Sequence, residues 1–196
     1  AGDICELDKV TAAFNYVNSA TNAAAGFFFD RGAFTVKNSI IWDNLAHISR
    51  GAVAAISVGE NATLDISYSL VGSTTDAAYI REATPGAITW GEGVLTGDPC
   101  FETLRETFHA ALKATPVDAA NGGANYFVDF DAVDAFSARL VAQRKRVSPA
   151  VNAGDPASAW DREPVPNGRR VNLGFDGNTP EATQTYGIKG TVVILR

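Results

Sequence analysis

Methionine is missing from the 196 residues, and cysteine and histidine occur twice each. Two cysteines, Cys5 and Cys100, are too few for a disulfide framework. Both sit among apolar neighbours, so free buried thiols are expected, with a single bridge as the alternative. His47 and His109 are far apart in the chain, and no Cys or His spacing resembles a zinc site, so no metal is expected. Charge is scarce, at 19% of residues, and the net charge is −6. That excludes the basic face which nonspecific nucleic-acid binding requires. The cluster Arg144, Lys145, Arg146 is too short to reverse it and reads as a solvated turn. No apolar run approaches the roughly 20 residues of a bilayer span, and no signal peptide is visible. Without an initiator methionine, the chain is expected to be a processed or excised piece of a longer protein.

What remains is 46% hydrophobic, enough for one domain that buries roughly 70% of the surface of its unfolded chain. Its strongest pattern is a motif repeated three times: ICELDKVTAAFN from Ile4, AFTVKNSIIWDN from Ala33 and TLDISYSLVGS from Thr63. Cys5, Phe34 and Leu64 align, as do Leu7, Val36 and Ile66, which places apolar residues two apart as in a strand with one buried face. Ser39 then meets Ser69, Ile40 meets Leu70, and Ile41 meets Val71. Gly26 to Trp42 aligns with Ile56 to Gly72 without a gap. A fixed period near 30 residues is the mark of stacked solenoid coils. Asn15 and Asn44 fall at equivalent corners, where an Asn can turn left-handed and stack its amide on the next coil. A local alternative makes Glu6 to Val17 an amphipathic helix with Asp3 and Glu6 as capping box.

Beyond the repeats, Asp98-Pro99 followed by Phe101, Leu104, Phe108, Ala111 and Leu112 predicts a short helix that stops at Thr115-Pro116. Val117 to Asn125 reads as a loop, Tyr126 to Phe130 as a strand, and Asp131 to Gln143 as a helix. Proline and glycine punctuate Ser148 to Glu181, which predicts an ordered, irregular wrap. Gly190 to Leu195 is apolar and β-branched enough for a last strand. The expected division is coils over 1–97, a helical and loop insertion over 98–147, and a closing segment over 148–196.

NSIIWDN (Asn38 to Asn44), ISYSLV (Ile66 to Val71), GDPCF (Gly97 to Phe101), SPAVNAGDP (Ser148 to Pro156) and EPVPNGRRVNLGFDGNTPEA (Glu163 to Ala182) follow one another in an order of their own. In that order the chain resembles the C-terminal part of secreted bacterial right-handed parallel β-helix proteins, the pectin-lyase-like superfamily. The resemblance implies an all-β fold: a short right-handed parallel β-helix of about three coils, with a closing segment that completes its end and a small helical insertion. It also implies a secreted or cell-surface location. The superfamily holds polysaccharide lyases and glycoside hydrolases as well as adhesins, so the fold does not decide the function.

Catalysis on a polysaccharide needs paired carboxylates facing a groove, or Ca2+ beside a basic residue. Asp161, Glu163 and Asp176 are the catalytic candidates, in a stretch that also holds Asp155, Glu181, Arg162, Arg169 and Arg170. The competing reading gives these acids structural duty as acceptors of backbone N–H groups in turns. Trp90, Trp160 and Arg162 are candidates for ligand contact, with Trp42, Phe27 to Phe29 and Tyr79 as further aromatics on which a sugar could stack; core packing is the alternative for each. Two functions are therefore expected in order: a noncatalytic terminal module that contacts polysaccharide or mediates adhesion, then a fragment of a lyase or hydrolase. No cofactor is expected, Ca2+ entering only with the enzyme. The first coil lacks a partner on its upstream face, so a longer parent chain, a second copy or the 102–146 segment is expected to cover it.

Overall fold

In the computed structural model the described residues are 4–17, 24–46, 55–76, 79–102, 112–116, 124–128, 139–143 and 146–185. The chain lays down strands in passes. The first pass gives β1 (Ile4–Asp8), β2 (Thr11–Ala13) and β3 (Tyr16–Val17), and the second gives β4 (Phe27–Lys37), β5 (Ile40–Trp42) and β6 (Leu45–Ala46). The third gives β7 (Ile56–Ser67) and β8 (Leu70–Val71), and the fourth β9 (Ile80–Glu82), β10 (Ile88–Trp90) and β11 (Leu95–Thr96). Like strands stack in parallel. One sheet runs β1-β4-β7-β10 with β9 beside β7, a second runs β2-β5-β8-β11, and β3 pairs with β6. Segment 4–17 is thus strand and corner, which overturns the helical alternative over Glu6 to Val17.

The register follows the repeat. Cys5 opposes Phe34 and Phe34 opposes Leu64, while Leu7, Val36 and Ile66 form the neighbouring ladder. A fourth rung was not evident from the repeat: Ile88 opposes Leu64 and Trp90 opposes Ile66. It is hidden because β9 and β10 are two short strands that together face the single long β7, which shortens the period. Between them Glu82 folds back, its carboxylate accepting the N–H groups of Gly86 at 3.1 Å and Ile88 at 2.8 Å.

The ungapped alignment of Gly26 with Ile56 is off by one. Phe27 opposes Ile56 and Phe29 opposes Val58, and the offset lengthens only between Phe29 and Arg31. The bulge keeps Phe27 and Phe29 in the same facing as Ile56 and Val58; without it they would meet Ser57 and Gly59 and turn to the other face. Gly59 lies at the bulge, where a Cβ would come within 2.8 Å of the Asp30 carbonyl oxygen.

Each of the first three passes turns from the first sheet to the second at a left-handed residue: Lys9, Asn38 and Tyr68, with φ of 57°, 51° and 42°. The corner interrupts the backbone ladder, and serine repairs it. Ser39 Oγ accepts the N–H of Val10 at 3.0 Å, and Ser69 Oγ accepts the N–H of Ser39 at 3.1 Å. Each hydroxyl donates to the carbonyl two residues back, Lys37 or Ser67. At the next corner Asn15 Nδ2 donates to Asn44 Oδ1 at 2.8 Å, and Asn44 Nδ2 donates to the Ala12 carbonyl. The amide stacking is as expected, but the left-handed residues are the preceding Phe14 and Asp43.

Two cores result. Between the sheets lie Phe29, Val36, Ile41, Ile56, Val58, Leu64, Ile66, Val71 and Ile88. The second core lies on the opposite face of the second sheet: Ile40, Trp42 and Leu70 pack with Phe101, Leu140, Ala150 and Leu173. Ile40 and Ile41 therefore face opposite ways, and the run Ile40-Ile41-Trp42 is buried throughout because both faces of its sheet are covered. Ala150 and Leu173 of the closing segment belong to this cluster on the second sheet, against which Ala13 and Phe14 of the first pass and Leu95 of the fourth also pack.

The helical insertion is not seen: the described residues contain no helix. Asp98 Oδ1 accepts the N–H of Cys100 at 2.7 Å, so the residue read as a helix cap makes a turn. Leu112 and Thr115-Pro116, read as helix end and stop, lie in β12 (Leu112–Pro116), which pairs antiparallel with β13 (Ala124–Val128). Tyr126 to Val128 is strand as expected, and Ala124 and Asn125, read as loop, belong to it too. Leu140 bridges Phe101, and β14 (Ala142–Gln143) pairs with β15 (Arg146–Val147), so the described end of the second expected helix is extended. The bodies of the two expected helices, 103–111 and 131–138, lie outside the described residues. The expected strand over 190–195 lies outside the described residues.

Candidate functional site

The closing segment is held by side-chain to backbone bonds. Asn38 Oδ1 accepts the N–H of Asp155 at 2.7 Å, while Asn38 Nδ2 donates to Asp8 Oδ1 and Ser158 Oγ at 2.7 and 2.9 Å. Lys37 forms an ion pair with Asp155. The bond from Lys37 holds the Asp155 carboxyl below its ordinary value, aided by the Ala157 N–H. Arg170 Nε donates to the Gly154 carbonyl, and its guanidinium stands 5.7 Å from the Tyr68 ring centroid.

Glu163 serves the same wrap from within. Only 4% exposed, its Oε1 accepts the N–H groups of Asn172 at 2.7 Å and Asn178 at 3.0 Å. Its Oε2 is buried without a hydrogen-bond partner. Burial raises its pKa, and the two backbone bonds act against that shift.

A cleft of about 450 Å3 opens where the Phe101–Leu140 bridge meets the end of the wrap, lined by Glu102, Arg139, Pro164, Glu181, Thr183 and Gln184 among others. The bridge sets Glu102 beside Arg139, with the Glu102 N–H bonded to the Arg139 carbonyl at 2.9 Å. Arg139 Nη2 donates to the Glu181 carbonyl at 3.0 Å, and Thr183 Oγ1 donates to the Leu140 carbonyl at 2.9 Å. Asp176 is buried outside the lining but feels its charges. Burial raises the pKa of its carboxyl, Glu181 and Glu102 push the same way, and Arg139 opposes them.

Of the residues singled out from the sequence, Glu181 lines this cleft, and its charge acts on Asp176. Glu163 points its carboxylate at the backbone of 172–178, and Asp161 and Arg162 are exposed, with the Arg162 N–H bonded to Asn178 Oδ1. Trp90 continues the ladder of Ile66 and packs against the first core, Trp42 is buried in the second, and Trp160 is half-buried and accepts the Glu163 N–H through its carbonyl. Phe27 and Phe29 stack on each other, whereas Phe28 is exposed. Glu102 and Arg139 escaped sequence reasoning, because only the antiparallel bridge between segments far apart in the chain brings them together.

Cys5 and Cys100 are free thiols. The expected burial of Cys5 is not met: it is exposed, since its ladder is covered only from Phe34 onward. Among the described residues no group of three or more His, Cys, Asp or Glu could hold a metal ion, and no helix is long and apolar enough to cross a membrane. His47 and His109 lie outside the described residues. Comparison with protein-family models, with curated proteins and with solved structures finds no match to this chain.

Proposed function

We propose that the chain is a noncatalytic module of a right-handed parallel β-helix protein, secreted or displayed at a cell surface, which contacts polysaccharide. The observation that supports it most is the use made of the acids in the wrap. Glu163 spends one carboxylate oxygen, Oε1, on the N–H groups of Asn172 and Asn178, and Asp155 its carboxylate on Lys37 and the N–H of Ala157. Groups so engaged hold the cover onto the sheet and are poorly placed to transfer protons to a substrate. Parallel ladders 29 and 30 residues apart agree with the β-helix resemblance. On this reading the edge of β1, which has no further partner strand among the described residues, would receive another coil of a longer parent or a second copy.

One observation favours the second reading, a fragment of a glycoside hydrolase or lyase. Asp176 is a nearly buried carboxyl with a raised pKa, next to Glu102 and Glu181, as a general acid requires. Incubation with a panel of neutral, acidic and amino polysaccharides, scored for both binding and product release, separates the two. Binding without products is expected; products that vanish in Asp176→Asn would put the hydrolase first.

A further inference from the structure

Both long sheets are open at both edges. Among the described residues no strand pairs with β1 or β2 on the side away from β4 and β5, and none with β10 or β11 on the side away from β7 and β8. The apolar ladder of the first sheet runs out at the same two places. Val36 and Ile66 in its middle are buried, whereas Leu7 at one end and Trp90 at the other are only partly buried, and Cys5 beside Leu7 is exposed. Edge strands with unpaired backbone groups are templates for another chain, and solenoid ends associate unless a polar cap closes them.

The two ends fit each other. Both sheets stack in the same pass order with all strands parallel, so a shift along the stack sets β10 beside the β1 of a second copy and β11 beside its β2 at once. The outward ladder agrees in charge. Glu6 opposes Thr35, Thr35 opposes Asp65 and Asp65 opposes Thr89, so acid and hydroxyl alternate and no two carboxylates are neighbours. Continued into a second copy, the alternation holds: Thr89 meets Glu6 at the strand spacing of about 4.8 Å, while Ile88 meets Cys5 and Trp90 meets Leu7. A two-fold axis through the middle of β1 would instead set the Glu6 carboxylates of two copies against each other, and like charges directly opposite repel. We propose that the chain associates head to tail, the β10–β11 edge of one copy receiving the β1–β2 edge of the next. The contact is heterologous, and as a shift along the stack it extends into open rows of copies. It rests on the ladders and is independent of polysaccharide contact.

The test is analytical ultracentrifugation of the full chain over a wide range of concentration. The mass is expected to rise with concentration beyond that of a dimer. Thr89→Glu puts a carboxylate against Glu6 of the next copy and should weaken association at least about tenfold, and Glu6→Lys added to it should restore association. Thr89→Ser keeps the hydroxyl and should leave it unchanged. Glu6 and Thr89 are both exposed, and circular dichroism checks folding. Because Thr89→Glu also faces Asp65 within its own chain, a second measurement stands beside it. Glu6→Cys with Thr89→Cys, in a chain carrying Cys5→Ser and Cys100→Ser, should on oxidation give a series of cross-linked dimers, trimers and longer rows, and Glu6→Cys alone should give none. A monomer at every concentration, an assembly that stops at the dimer, cross-linking by Glu6→Cys alone, or association indifferent to Thr89→Glu each overturns the proposal.

Discussion

Asn38 and Asp155 meet through a hydrogen bond of 2.7 Å from the Asp155 N–H to Asn38 Oδ1, across 117 residues of chain. Asn38 is also the left-handed corner of the second pass, with φ of 51° and no exposed surface. One side chain thus turns the strand from the first sheet to the second and anchors the cover that lies over the second sheet. The adjoining Lys37–Asp155 ion pair and the Gly174 N–H on the Asn38 carbonyl, at 2.7 Å, join the same two parts.

Asn38→Gly and Asn38→Ala separate these two duties. Either variant leaves the buried Asp155 N–H without its acceptor, which costs about 1–3 kcal/mol. Alanine adds left-handed strain of about 1–2 kcal/mol that glycine escapes. Urea denaturation is expected to rank wild type above Asn38→Gly and Asn38→Gly above Asn38→Ala. Equal stability of the two variants would show that the corner carries no strain.

Leu173→Ala tests whether the cover is part of the fold. Leu173 is 1% exposed and packs with Ile40, Trp42 and Leu70 on the second sheet. Its truncation should cost about 2–5 kcal/mol, and limited proteolysis should then cut within 148–185 before the strands. Cutting at the same sites and rate as in wild type would mean that the cover is held by its polar bonds alone.

The ladders of Cys5, Phe34 and Leu64 were legible because each residue repeats a strand position and a facing. The bulge after Phe29 was legible in principle too, since only a one-residue slip keeps Phe27 and Phe29 in phase with Ile56 and Val58. The role of Ile40-Ile41-Trp42 was not, because a sheet buried on both faces leaves no alternation to read. At the described ends of the two expected helices Asp98 and Leu140 are extended or in a turn, since helical spacing and a capping residue are local signals while the Phe101–Leu140 bridge is distant. The cleft failed for the same reason: Asp176 and Glu181 stood out within one segment, but Arg139 and Glu102 reach them only through tertiary pairing.

Cys5 and Cys100 should differ in reactivity. Cys5 is exposed on β1, whereas Cys100 is half-buried before the Phe101 bridge. A maleimide reagent under native conditions is expected to label Cys5 first, with Cys100 lagging until denaturant is added, as read by peptide mass spectrometry. Equal protection of the two thiols would place a covering element over Cys5.

Glu163 gives the stability a pH dependence of determined sign. Burial holds its carboxyl above the ordinary glutamate value of 4.5, so the folded chain keeps a proton that the unfolded chain releases. Below 4.5 both states are protonated and there is no penalty; as pH rises from there to the raised folded value, stability falls. Asp176 acts with the same sign from its ordinary 3.8 upward. Asp155 acts oppositely: Lys37 keeps it ionised, so its contribution is present above 3.8 and is lost as pH falls through its lowered value. Wild-type stability should therefore decline as pH rises from the region of 4.5 through the raised folded value of Glu163. Glu163→Gln retains an oxygen for the N–H groups of Asn172 and Asn178 but has no proton to lose, so its decline over the same window should be shallower. Glu163→Ala leaves the N–H groups of Asn172 and Asn178 unpaired and should cost about 2–6 kcal/mol across the window. Thermal unfolding at a series of pH values measures all three. A slope in Glu163→Gln as steep as in wild type would assign the pH dependence to Asp176 and not to the buried glutamate.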